Sequence, residues 1–219
     1  MKNKDKKSII MKVGILAIGL LAIATTKASA SNQSALSQSI SDGAKGIDIV
    51  DAGGTTVASP TVSFGAATFS FNTQDTTGTL GVSAQRIRIS NPTSTATWTA
   101  SIAGSAPTAL WTAGSLKYDF NDTAGYTDGA DTDTYGGQLA VAPTGGTLAG
   151  VSGCATSNVS LGSNSAFVEG TTDSITIASG AAGATTYCRW DITNIGLTQK
   201  LPAGQTSGSY AINLVLSII

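Results

Sequence analysis

Ser209-Tyr-Ala-Ile-Asn-Leu-Val-Leu-Ser-Ile-Ile219 decides the fold class. Its even positions, Tyr210, Ile212, Leu214, Leu216 and Ile218, are all apolar, whereas its odd positions mix Ala211, Asn213, Val215, Ser217 and Ile219. A period of two is the spacing of a strand with one buried face, and it does not fit the 3.6-residue period of a helix. Tyr187–Ile192 repeats the pattern with Cys188, Trp190 and Ile192 on one side, so a cysteine and a tryptophan are expected to point inward together. In Gln85–Ser90, Ile87 and Ile89 share one face while Arg86 and Arg88 share the other, and Asn91-Pro92 ends the run. Trp98, Ala100 and Ile102 line a further strand. Ile47 with Ile49, Val62 with Phe64, Phe69 with Phe71, Leu139 with Val141, Val159 with Leu161, Phe167, and Ile175 with Ile177 mark the others. About ten such runs, punctuated by Gly and Pro and with no convincing amphipathic helix, predict an all-β antiparallel β-sandwich, immunoglobulin-like or jelly-roll.

The N-terminus reads differently. Lys2, Lys4, Lys6, Lys7 and Lys12 precede an apolar run from Val13 to Ala24, and Ala28-Ser29-Ala30 has the small-x-small form that signal peptidase accepts. The run is shorter than the roughly 18–20 residues of a permanent membrane span. Residues 1–30 are therefore expected to be a signal peptide. Residues 31–43 are expected to be a flexible arm or an added edge strand, and 44–219 a single β-sandwich domain. Of the chain's twelve basic and thirteen acidic residues, the leader holds six lysines and one aspartate, leaving six basic residues against twelve acidic ones. So acidic a chain offers no clustered basic footprint for nucleic acid or an anionic membrane, and neither partner is expected. Nor is membrane insertion expected once the leader is removed.

Cys154 and Cys188 are the only cysteines. In an exported chain an even pair is expected to bridge, and closing that loop stabilises by about 3–4 kcal/mol on the chain-entropy model. There is no histidine, which removes the commonest general base and metal ligand, and with it the Ser-His-Asp, Cys-His and zinc-hydrolase arrangements. No nucleophile-elbow, phosphate-loop or dinucleotide motif occurs. The expectation is a protein that is not an enzyme.

Chemistry concentrates in Tyr118–Tyr135, YDFNDTAGYTDGADTDTY, which contains Asp119, Asn121, Asp122, Asp128, Asp131 and Asp133, five of the twelve acids outside the leader. Calcium takes six to eight oxygens from carboxylates, amides and carbonyls, and aspartates spaced by small residues let a loop wrap it. These six residues are the candidate Ca2+ ligands. The spacing is not that of an EF-hand, and a solvated acidic loop built from ordinary turn residues explains the composition as well. Aromatic stacking on sugars is a weaker candidate. Trp98 and Trp190 share faces with aliphatic residues and are assigned to the core, leaving Trp111, Tyr118, Tyr126 and Tyr135 as the set that could be exposed. Leu201-Pro202-Ala203-Gly204 lacks the threonine of a sortase motif, and no cysteine stands at the expected cleavage site for lipid attachment, so any hold on a cell is expected to be noncovalent.

The Trp98-Thr-Ala strand, Leu201-Pro-Ala-Gly and the closing Tyr210-Ala-Ile-Asn-Leu-Val-Leu resemble the end of WxL-type cell-surface domains of Gram-positive bacteria. The resemblance is loose: the distal strand has no tryptophan and position 100 is Ala. Across the mature chain, IDIVDAGG, QRIRISNP, YDFND and YCRWDIT look like segments of secreted β-sandwich surface proteins of candidate-phylum bacteria that live attached to other cells. The first resemblance implies noncovalent binding to wall peptidoglycan; the second brings no activity with it. The function expected is a secreted, non-enzymatic surface protein with a structural or adhesive role, calcium-stabilised, its partner a cell-surface or cell-wall component or copies of itself. The alternative is a noncovalent peptidoglycan- or glycan-binding module.

Overall fold

A computed structural model describes residues 37–123 and 134–219. Residues Ser41–Ile219 cluster as one compact unit, and of the separate unit Met1–Ile40 the described residues 37–40 are exposed and irregular. The signal peptide and residues 31–36 of the arm thus lie outside the described residues. Fourteen strands carry the fold among those residues: β1 (Gly46–Val50), β2 (Gln74–Leu80), β3 (Arg86–Asn91), β4 (Trp98–Gly104), β5 (Leu110–Ala113), β6 (Leu116–Asp119), β7 (Gln138–Ala142), β8 (Thr147–Gly150), β9 (Val159–Leu161), β10 (Ser165–Ala166), β11 (Ser174–Gly180), β12 (Cys188–Thr193), β13 (Ile195–Leu201) and β14 (Leu214–Ile218). They form three four-stranded antiparallel sheets, ordered β1-β3-β12-β8, β10-β7-β13-β2 and β14-β4-β11-β9, with β5-β6 as a ribbon. The protein is an all-β sandwich, and no helix among the described residues is long and apolar enough to cross a membrane.

The period-two pattern places the core. Ile87 lies opposite Ile192 and Ile89 opposite Trp190 across β3 and β12, and all four are fully buried. From the facing sheet, Trp98 of β4 meets Trp190 with ring centroids 5.3 Å apart. The Trp190 Nε1–H donates to Ala155 O at 2.9 Å, which satisfies the ring's one polar atom. Ala155 follows Cys154, whose disulfide to Cys188 joins Cα atoms 5.7 Å apart across a 34-residue separation. The expected bridge and the inward tryptophan are thus neighbours at one end of β12. In β11 a bulge between Thr176 and Ala178 turns two successive residues, Ile177 and Ala178, into the core, which a strict alternation cannot do.

The closing strand keeps its predicted parity. Ile212, Leu214, Leu216 and Ile218 are half-buried against the core, while Val215, Ser217 and Ile219 are exposed. Regular pairing with β4 begins only at Leu214, because Ala211 exchanges both backbone hydrogen bonds with Thr112 of β5 and so draws the preceding residues onto the ribbon. Two expected strands do not form and one strand was not expected: Val62 and Phe64 lie outside the strands, Phe64 making only an isolated bridge to Gly78. Phe69 and Phe71 lie outside any strand, Phe71 84% exposed, and their rings meet each other at 5.0 Å. β2, reading QDTTGTL, buries only Leu80; it is held by seven residues of backbone register against β13 and has no apolar period to show for it.

Candidate functional site

The acidic segment begins at the end of β6, and the structure buries its first three candidates. Asp119 is 1% exposed and Asn121 2%, with Asp122 also buried. Asp119 Oδ1 accepts from the backbone N–H of Phe120 at 2.5 Å and of Asn121 at 3.1 Å, so the carboxylate folds back to cap its own turn. The Asn121 amide donates through Nδ2 to Pro107 O at 3.0 Å, while its Oδ1 is buried with no hydrogen-bond partner among the described residues. Gly137, at φ 146°, lies so close to the Asp119 carbonyl that any side chain there would collide with it. Asn121 O accepts the Glu169 N–H at 2.9 Å, bringing in the one glutamate, which sequence spacing gave no reason to include. Asp128, Asp131 and Asp133 lie outside the described residues. Among the described residues no group of three or more Cys, Asp or Glu side chains is gathered as a metal would need.

The aromatic set is corrected. Trp111 and Tyr118 are buried, not exposed: they stack at 5.6 Å with planes 12° apart, and Phe64 and Tyr210 close on their edges. Burial pushes the Tyr118 hydroxyl well above its ordinary range, with the Tyr210 phenol adding to the shift. Gln199, 1% exposed on β13, accepts the Trp111 Nε1–H at 2.9 Å and donates to Asp119 O at 3.2 Å and Lys200 O at 2.9 Å. One buried amide therefore ties the aromatic cluster to the acidic turn. Tyr126 lies outside the described residues, and of the three described members of the set only Tyr135 reaches solvent. No sugar-stacking platform is formed by Trp111 and Tyr118.

A second site was not assembled from sequence. The chain has three arginines, Arg86, Arg88 and Arg189, and all three line one open cleft of about 650 Å³ on the outer face of the sheet β1-β3-β12-β8. Arg86 and Arg88 project there because Ile87 and Ile89 take the inner face of β3, and Arg189 with Asp191 because Trp190 and Ile192 take the inner face of β12. Arg88 grips Asp191 bidentately, Nε to Oδ1 at 2.7 Å and Nη2 to Oδ2 at 2.9 Å. That bond, followed by the charges of Asp191 and Asp51, holds the guanidinium above its ordinary pKa against the effect of burial. Arg86 touches the same carboxylate only at 3.5 Å, with its Nε bound to Ser83 O at 3.1 Å. Arg189 is exposed, and none of its side-chain nitrogens has a hydrogen-bond or ion-pair partner among the described residues. Asp51 Oδ1 accepts from Gly53 N and Thr55 N, each at 2.9 Å, and so shapes the turn that lies over Arg88. Gly54 in that turn has φ +90°, and a Cβ there would strike the Arg88 guanidinium. The parity of Arg86 and Arg88 was the only sequence trace of this cleft; Arg189 joins from the far end of the chain.

Compared with known proteins, the chain matches no protein-family model, no curated protein and no solved structure.

Proposed function

We propose that this is an exported, non-catalytic surface protein with a structural or adhesive role, which assembles with copies of itself. The observation that carries the reading is an open apolar groove of about 600 Å³ beside β14, the terminal strand of its sheet. Ile212, Leu214 and Leu216 line it together with Val62, Phe64 and Leu80. A sheet edge next to an apolar trough takes an added strand readily, since the backbone supplies hydrogen bonds and alternate side chains fill the trough. Electron microscopy and light scattering of the chain from Ser31 onward test this. Filaments or large oligomers, lost in Leu216→Lys, are expected; a strict monomer at high concentration overturns self-assembly.

Calcium stabilisation belongs to the same proposal. Buried Asn121 Oδ1 is an uncharged oxygen of the kind calcium accepts, with Asp119 and Asp122 beside it in sequence and Glu169 bonded to the same turn. A bound ion raises the unfolding midpoint once it exceeds its dissociation constant. No shift at millimolar calcium, with Asp128→Ala and Asp131→Ala melting like the parent, would leave only an acidic turn.

The arginine cleft and the WxL-like closing strands support a second reading, a noncovalent peptidoglycan- or glycan-binding module. Co-sedimentation with purified cell wall separates the two, because a protein left in the supernatant is no wall-binding module.

A further inference from the structure

We propose that the arginine cleft is a subsite for the carboxylate of an acidic saccharide, taken by the guanidinium group of Arg189, with Arg86 lining the same cleft beyond the Arg88–Asp191 pair. The proposal deepens the adhesive reading and rests on it for the polymer that would carry the saccharide.

The charges divide the cleft into a fixed part and a part open to a ligand. Arg88 and Asp191 satisfy each other through two short bonds, and their side chains are only 12% and 8% exposed. Asp51 spends its Oδ1 on the turn above, and Asp48 stands across β3 from Asp191, outside the cleft lining. Arg86, with a side chain 31% exposed, is held by its Nε bond to Ser83 O and the 3.5 Å contact to Asp191, and Arg189 has no acid. Arg189 is therefore the forked donor left without a partner among the described residues, and it lines the open cleft beside a pair that is already fixed. A planar guanidinium presents parallel N–H groups that match the two oxygens of a carboxylate, and this geometry makes such contacts stronger than point-charge attraction alone.

The rest of the lining fits a sugar better than an apolar ligand or a peptide anchor. Ser83, Ser152, Thr193 and Asn194 supply hydroxyl and amide groups, and Gly53, Gly54 and Gly150 add no side-chain bulk to the lining. The volume falls within the range of small-ligand clefts, and no aromatic or large aliphatic side chain other than Val151 lines it.

Calorimetric titration of the folded chain with tri-galacturonate tests the subsite, with its fully methyl-esterified trimer and inorganic phosphate as further arms. The acid trimer is expected to bind, the neutral ester at least about tenfold more weakly, and Arg189→Ala to weaken the acid trimer by about tenfold or more. Arg189→Lys, which keeps the charge but loses the fork, should fall between the two, and Lys117→Ala, an exposed cation of β6, should leave binding unchanged. Phosphate binding as tightly as the trimer would show an oxyanion site without saccharide recognition and overturn the sugar assignment. Failure of the acid trimer to bind at millimolar concentration, or equal binding by Arg189→Ala or by the ester, would overturn the subsite itself. These readouts are made in solution on a single folded chain, so their failure is distinct from a failure to assemble or to attach to a surface.

Discussion

The acidic turn and the arginine cleft are opposite cases. In the described part of the turn, Asp119, Asn121 and Asp122 are buried framework: Asp119 caps its own backbone, and Gln199 bonds its carbonyl to the aromatic cluster. In the cleft, residues 86, 88 and 189, sparse in sequence, converge on one exposed face. The difference shows that density along the chain measures local turn chemistry, whereas density in space follows strand pairing. β3 and β12 lie side by side, and that adjacency places Arg189 beside a pair that is already fixed.

If the comparison holds, breaking the turn costs stability and breaking the open side of the cleft does not. Asp119→Ala leaves two buried N–H groups without their acceptor and is expected to cost about 3 kcal/mol in urea unfolding. Little change would mean that the carboxylate is not framework. Asp191→Ala removes the partner of a mostly buried Arg88 and is expected to cost about 2 kcal/mol, reduced from the full cost of a buried orphan because water reaches part of the guanidinium. Gly54→Ala forces a side chain into left-handed backbone and against Arg88, for about 1–2 kcal/mol; a neutral result would show that the turn is free to lift from the cleft. Arg189→Ala should stay within about 0.5 kcal/mol, so a large loss there would make Arg189 framework like Asp119 and end the contrast.

The smallest expected effect concerns pH. Asp42 is exposed, and hydrogen bonds from the Ser94 N–H, the Tyr187 hydroxyl and the Ser94 hydroxyl hold its carboxyl below the ordinary range. A lowered folded-state pKa contributes stability above the unfolded value that is lost as pH falls through the folded one. Unfolding midpoints followed downward from about pH 5 should therefore converge for the parent and Asp42→Asn. A gap that persists at the acid end would show that the bonds do not depend on the charge.

Much of the fold was legible because burial alternates wherever a strand has one wet face, and the parities of Ile87, Trp98, Trp190 and Leu216 all carried over into the core. Less of the candidate sites was legible. Asp119 and Asn121 were found by composition, but burial sets their roles. Glu169 and Gln199 join them through hydrogen bonds across the fold, and Phe69 and Phe71 imitate a strand that no partner strand completes.

By itself, the sequence determined the all-β class, the inward faces of its clearest strands and a cysteine pair suited to bridging, since these follow from local period and residue chemistry. The tertiary structure alone decided that Trp111 and Tyr118 are buried, that polar β2 pairs with β13, and that all three arginines share a cleft. Those outcomes depend on which strands become neighbours, and backbone hydrogen bonds between strands carry no side-chain signature along the chain.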